Sequence, residues 1–328
     1  MDALMAALMA ALMVALMAAA PLAARADGAA GPRAVPAARV GHAASAGLLG
    51  SALAGPRVVA VGEHGVVLLS DDRGKRWRQA GNVPVDSTLT AVSFVDDKRG
   101  WAVGHAGVVL ATADGGETWT LQRRAAGEDR PLFAVHMFDA EHGVAVGLWS
   151  LVLVTADGGK TWDGVTLPKP EGAKKADLNL LGLFVDAKGG LFAAAERGTL
   201  LRSGDRGRSW TYLATGYKGS FWTGAALADG VLLAAGLRGS VYRSADDGKT
   251  WGRIETGTKS SVTALLVKDQ QVLGLGLDGL VLRSSDGGAS FKASVRDDHA
   301  ALTSGVLLPD GTELLLSRQG VLAGDARK

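Results

Sequence analysis

Six aspartates stand at one place in a recurring octet, S-x-D-x-G-x-T-W with small variations, at 70–77, 112–119, 155–162, 203–210, 244–251 and 284–291. Asp72, Asp114, Asp157, Asp205, Asp246 and Asp286 hold its third position. Carboxylates are the working groups of glycoside hydrolysis, but that reaction needs two of them about 5 to 9.5 Å apart across one bond. One carboxylate per repeat does not make such a pair. His64 and His105, in neighbouring turns, begin a metal set whose third and fourth ligands the sequence does not supply. Tyr212, Tyr217 and Tyr242 are the only tyrosines. The absence of cysteine excludes a thiolate nucleophile, a disulfide framework and Cys-ligated zinc or iron–sulfur clusters. No phosphate-cradling glycine loop, H-E-x-x-H zinc motif or G-x-S-x-G elbow occurs. These residues lead to a reading with no catalytic residue, no metal and no cofactor.

The octets are placed by a repeat. Successive copies begin 42, 43, 48, 41 and 40 residues apart. Each follows two short apolar runs, closed by glycine around a two-residue turn, as at 58–62 and 65–69, which is the pattern of a β-hairpin. Another apolar stretch precedes each hairpin and one more follows each octet, as at 89–95 and 119–122. Four strands in roughly 40 to 45 residues describe one propeller blade. Residues 302–322 repeat the first three strands without an octet, and the stretch near 34–44 is the candidate for the missing outer strand. The expected fold is therefore all-β: a seven-bladed β-propeller of four-stranded blades over 46–328, closed by pairing of the N- and C-terminal segments, with 27–45 as the ring-closing segment. Six blades with an appended three-stranded unit is the alternative. The 46 glycines, about twice the usual share, agree with many tight turns.

Residues 1–20 are almost wholly Ala, Leu, Met and Val, and lead through Pro21 to the small-residue site Ala24-Arg25-Ala26. This reads as a secretory signal peptide over 1–26, giving an exported, periplasmic protein. The alternative keeps 1–20 as an uncleaved anchor on the outer side of the inner membrane. Asp2 stands where a basic residue is expected. With 35 Lys and Arg against 33 Asp and Glu, the chain has no net field that would gather nucleic acid.

The octet resembles the Asp-box, or bacterial neuraminidase repeat, of sialidases, sortilin-type receptors, some endoglucanases and the photosystem II assembly and stability factors. Its physics is that of a staple. An aspartate in a tight turn accepts backbone N–H bonds, glycine takes the positive φ, and Trp77, Trp119, Trp162, Trp210 and Trp251 bury their rings between blades. The strand phrase of the last of these families, A-V-G-x-x-G-x-x-L-x-T-x-D-G-G-x-T-W, is matched by AVGHAGVVLATADGGETW at 102–119 and AVGLWSLVLVTADGGKTW at 145–162. That resemblance extends over almost the whole mature chain. It implies a non-catalytic, protein-binding propeller that serves as an assembly or scaffold factor for an envelope membrane-protein complex. A sialidase-like glycan-binding or glycan-hydrolysing propeller is the alternative. That family's Arg-Ile-Pro motif is missing here, the nearest string being Gly31-Pro32-Arg33.

Repeats that agree elsewhere differ at the tips of their second-to-third-strand hairpins, and this variation marks the candidate binding face. The tips bring His64, His105, Trp149, Arg197, Arg238 and Arg318 to that face, with Arg123, Arg124, Lys174, Lys175 and Lys218 from the blade connections. Arg197, Arg238 and Arg318 are expected to form a basic cluster suited to an acidic peptide or other anion. The expected partner is a membrane-protein segment or an envelope-complex component, with peripheral membrane association allowed and the chain itself a monomer. The longest connection, 167–177, accounts for the 48-residue interval and is a place to grip a partner.

Overall fold

The computed structural model describes residues 34–125, 127 and 130–322. The signal segment read at 1–26, together with 27–33, lies outside them.

Short runs rich in Val, Leu and Ala, each ended by glycine or a polar turn, form antiparallel sheets stacked side by side. Among the described residues there are six four-stranded sheets and one three-stranded sheet, all in simple up-and-down order. They are the seven blades, over 48–79, 89–123, 132–164, 180–214, 221–254, 262–295 and 302–321. The second strands, such as Gly100–Gly104 and Gly143–Gly147, are buried along their whole length, with a blade packed on each flank. Outer strands are short and largely exposed, as in Lys292–Val295.

The first strands form the inner ring, each touching the first strand of the next blade, and Leu302–Leu307 touches Leu48–Ala54 to close it. Threonines stitch this ring. The hydroxyl of Thr90 donates within its own blade to the Val103 carbonyl (3.1 Å) and across to that of Leu132 (2.7 Å). Thr263 does the same with Leu275 and Leu302 (3.0 and 2.8 Å). Thr303 joins Leu316 to Leu48 (3.3 and 2.5 Å) at the closing seam.

Seven blades are present, and among the described residues the N- and C-terminal stretches meet at the seam between the seventh blade and the first. The seventh sheet ends at the short strand Gly320–Val321 among the described residues. Residues 34–42 join no sheet. They lean on the first blade: the Ala37 N–H donates to Val83 (3.0 Å), and the Gln79 side chain bonds both Ala38 and Val40 (2.8 and 3.0 Å). The 3-10 turn Ala43–Ser45 then lies against Gly320–Val321. Pro36 has no N–H to give a ladder, and the polar groups nearby are satisfied by Gln79 instead. The ring is closed by side chains, with Ser51 reaching Ser304 (2.7 Å) and the Gly305 carbonyl (3.1 Å).

Every octet makes the same knot. The first Ser or Thr hydroxyl donates to the Asp, as from Thr155 to Asp157 (2.9 Å), and accepts the N–H of the fifth-position glycine, as from Gly159 (2.8 Å). The Asp accepts the seventh residue's N–H and its hydroxyl, from Thr161 at 3.0 and 2.8 Å. In the first blade the guanidinium of Arg76 takes the place of that hydroxyl (2.7 Å). The fifth-position glycine has φ of 84° at Gly159 and 88° at Gly116, where a side chain would be strained. Its carbonyl accepts the indole N–H, as from Trp119 to Gly116 (2.9 Å). Trp162 instead turns its N–H to Gln122 of the preceding blade (3.4 Å). Trp119 is 1% exposed and packs on Val59 and Leu69 of the preceding blade, edge-on to Phe94.

Two outcomes follow from this knot. Trp119→Ala empties a buried inter-blade site and should cost about 3–5 kcal/mol, read as a lowered midpoint in thermal unfolding. Asp157→Ala should lower the midpoint as well, by unmaking one turn. The second outcome concerns acid. The Thr161 N–H and then its hydroxyl hold Asp157 down to about 2. Asp246 and Asp286 are also held to about 2, led by the hydroxyls of Thr250 and Ser290. An unfolded aspartate titrates near 3.9. The contribution of these carboxylates is therefore complete above that value and is lost as pH falls through about 2. The melting temperature should stay level from about pH 7 to 5 and drop between about 4 and 2. The acid drop should be shallower in an Asp157→Asn, Asp246→Asn, Asp286→Asn variant.

Candidate functional site

The hairpin tips and the blade connections share one face, tied together by the backbone. The first tip residue donates its N–H to the carbonyl just before its own blade's first strand: Glu63 to Gly47, His105 to Thr88, Leu148 to Pro131, Leu237 to Ser220, Leu277 to Ser261 and Arg318 to Ala301, at 2.9–3.1 Å. In the first six blades the tips are one residue longer than the two-residue turns read from the sequence, while in the seventh Arg318 and Gln319 form a two-residue turn between the paired Ser317 and Gly320. Residues such as Glu63–Gly65 form a 3-10 turn closed by Val66 N–H to the Glu63 carbonyl (3.0 Å).

The middle residue of six tips is in the left-handed region: His64, Ala106, Trp149, Arg197, Arg238 and Asp278, with φ between 52° and 57°. None is glycine, although a residue with a Cβ pays of order 1 kcal/mol there. This places four of the sequence candidates, His64, Trp149, Arg197 and Arg238, at one equivalent position. His105 stands one residue earlier. Arg318 is also at the first tip position, in the seventh blade.

The third tip residue is glycine in five of the blades, and in three of them a Cβ would run into the neighbouring connection, at the carbonyls of Val85, Tyr217 and Thr258. The third blade departs from this rule. Ser150 occupies the position with φ 56°, directly after Trp149 at 52°. The connection makes room, and Ser150 donates its N–H to the Leu178 carbonyl at 2.7 Å and its hydroxyl at 3.3 Å. The long connection after the third blade thus leads into a rebuilt tip.

Trp149 is 58% exposed and flanks a cleft of about 410 Å³ shared with Lys175, Asp177, Asn179, Glu196 and Arg197. Asn179 organises it. Its side-chain carbonyl accepts the Trp149 N–H (3.1 Å), its amide donates to Glu196 (3.0 Å), and its backbone N–H donates to the other Glu196 oxygen (3.1 Å). Asp177 stands 3.7 Å from both Arg197 and Lys175. The result is an indole wall beside a row of alternating charges, fit to hold a peptide by stacking and by charge-assisted hydrogen bonds. Asp177, Asn179 and Glu196 were not among the sequence candidates, because a carboxylate or amide in a connection carries no pattern of its own.

Arg238 lines a separate cleft of about 700 Å³ with Arg253, Glu255, Thr258 and Lys259. Arg318 is exposed and lines neither cleft. The three arginines thus share a face in different local settings. His64 borders a groove of about 530 Å³ with His42, Val35, Val40 and Asp86. Among the described residues, no three His, Asp or Glu side chains come together as a metal set. The Arg123 guanidinium donates to the Gly107 carbonyl (2.8 Å). The tyrosines are held by the fold: Tyr212 donates to the Pro168 carbonyl (2.9 Å), Tyr217 to that of Leu237 (3.0 Å), and the Tyr242 ring lies tilted against Tyr217 and edge-on to Phe221.

Residues 75–174 match the family model described as photosynthesis system II assembly factor YCF48. None of the curated proteins compared is similar in sequence. Among solved structures, YCF48 bound to a D1 peptide superposes with a TM-score of 0.70 at 18% identity, over 85% of this chain and 92% of that one. YCF48 from Cyanidioschyzon merolae gives 0.68 at 17% identity, over 85% and 94%. The chain thus matches the photosystem II assembly factor model over residues 75–174 and shares a β-propeller fold with both structures.

Proposed function

We propose that this chain is a non-catalytic, exported propeller that binds a segment of a membrane protein on its hairpin-tip face, as an assembly or scaffold factor for an envelope complex. One observation carries the reading: the third blade keeps Trp149 and Ser150 in consecutive left-handed positions, at φ 52° and 56°, and presents the indole to solvent. Nothing in the blade's packing calls for an exposed indole there, and stored backbone strain of this kind collects at binding sites. The matched family and the similar structure with a bound D1 peptide support a peptide as the ligand. Trp149 would stack on an apolar or planar residue, with Arg197 and Lys175 meeting carboxylates and Asp177 and Glu196 meeting cations or N–H groups. Arg238 and Arg318 extend the same face for the flanks of a longer segment.

The test is a crosslinked pull-down of the native protein from the cell envelope. A membrane-protein subunit should be recovered with the unaltered chain and reduced at least tenfold by Trp149→Gly, which suits the left-handed backbone and leaves the melting temperature unharmed. Joint reversal of Arg197, Arg238 and Arg318 to Glu should reduce capture with the fold intact. Unchanged capture in both variants would remove this face as the site. Release of sugar from sialosides or β-glucans by the purified protein would replace the scaffold reading with the glycosidase one.

A further inference from the structure

The Trp149 cleft contains a carboxylate that is oriented but not neutralised. Glu196, half-buried at the first tip position of the fourth blade, stands beside the indole. Asn179 sets the two in one frame. Its side-chain oxygen accepts the Trp149 N–H, while its side-chain amide and its backbone N–H donate to one Glu196 oxygen each (3.0 and 3.1 Å). A carboxylate offers about four acceptor sites, so both Glu196 oxygens keep capacity after Asn179 is served. Among the described residues, no Lys, Arg or His forms an ion pair with Glu196. The indole is equally distinctive: of the eight tryptophans, all of them described residues, Trp149 alone is exposed.

The cations of the cleft are turned elsewhere, since Arg197 and Lys175 both face Asp177 at 3.7 Å. An incoming carboxylate would have to compete with Asp177 for both of them. An apolar ring would cover the indole but strip water from Lys175, Asp177, Glu196 and Arg197 without replacing its hydrogen bonds. A guanidinium meets neither obstacle. It is planar, so it stacks on an indole face, and its paired N–H donors fit the two oxygens of one carboxylate. A lysine ammonium lacks both the plane and the fork. Asp177 offsets the repulsion that Arg197 and Lys175 would exert on such a guest.

We propose that this cleft receives an arginine side chain of the bound polypeptide, its guanidinium stacked on Trp149 and paired with Glu196. The inference rests on the tip-face reading for the source of that side chain, and it deepens the reading by naming what the indole takes. Trp149 and Glu196 touch the guest, and Asn179 is the positioning residue that holds both.

The probe is the peptide acetyl-Gly-Arg-Gly-amide, with counterparts that carry citrulline or glutamate in place of arginine. Citrulline has nearly the same length and plane without the charge. The full chain is labelled with 5-fluorotryptophan, and the fluorine resonance missing from Trp149→Gly reports on the cleft. The arginine peptide should shift that resonance saturably. The citrulline peptide should bind at least fivefold more weakly, a comparison that needs no variant of the protein, and the glutamate peptide should leave the resonance in place. Glu196→Gln should weaken the arginine peptide at least fivefold, with the remaining fluorine resonances as the check on its fold. No saturable shift up to tens of millimolar arginine peptide, equal binding of the citrulline peptide, preference for the glutamate peptide, or unchanged binding to Glu196→Gln would overturn the proposal. The envelope pull-down separates the two readings. Capture lost in Trp149→Gly while the arginine peptide fails would keep the face and remove the arginine. An arginine-specific shift with capture unchanged in Trp149→Gly would keep the guanidinium site and remove the face as the one that holds the membrane protein.

Discussion

The structure depends on a turn in which one carboxylate answers several donors at once. Asp157 takes the hydroxyl of Thr155, the N–H of Thr161 and the hydroxyl of Thr161 within one turn. That arrangement fixes the path of the chain from third to fourth strand and thereby aims the closing ring at the preceding blade. The same short stretch settles a local loop and a non-local interface. A small sheet cannot cover both of its faces alone, and here each octet-bearing blade covers the blade before it. The aspartates are spent on their own turns, which is why six of them make no acid–base pair.

Much of this was legible in the sequence. The spacing of Asp72, Asp114 and Asp157 set the blade length, and the runs ending at Gly62, Gly104 and Gly147 marked the second strands, since a twice-packed strand is apolar on both sides. The roles of Thr155 and Thr161 were less visible, because a hydroxyl is common in any turn and only geometry shows what it bonds. How residues 34–44 are held was less visible for a related reason. The residues 34–44 are apolar enough for an outer strand, but their hydrogen-bonding partners come from Gln79 and Val83, which lie far along the chain.

The candidate face was legible only in outline. Sequence variation among tips singled it out, and Trp149 and Arg197 line one cleft there. What sequence could not convey was the left-handed backbone at six tips, since His, Ala, Trp, Arg and Asp give no shared signal for it. Nor could it show that Asn179 would join Trp149 to Glu196, where the long connection after the third blade bonds to Ser150.

The seam between the last and first blades joins Thr303 to Leu48 across 255 residues. Because translation proceeds from the N-terminus, the first blade is made with one flank bare and stays so until the final strands exist. During that interval the flank carrying Val58 and Trp77 is without the seventh-blade residues that cover it in the finished ring. For this architecture, exposure to aggregation is built into the order of synthesis, before the ring can close.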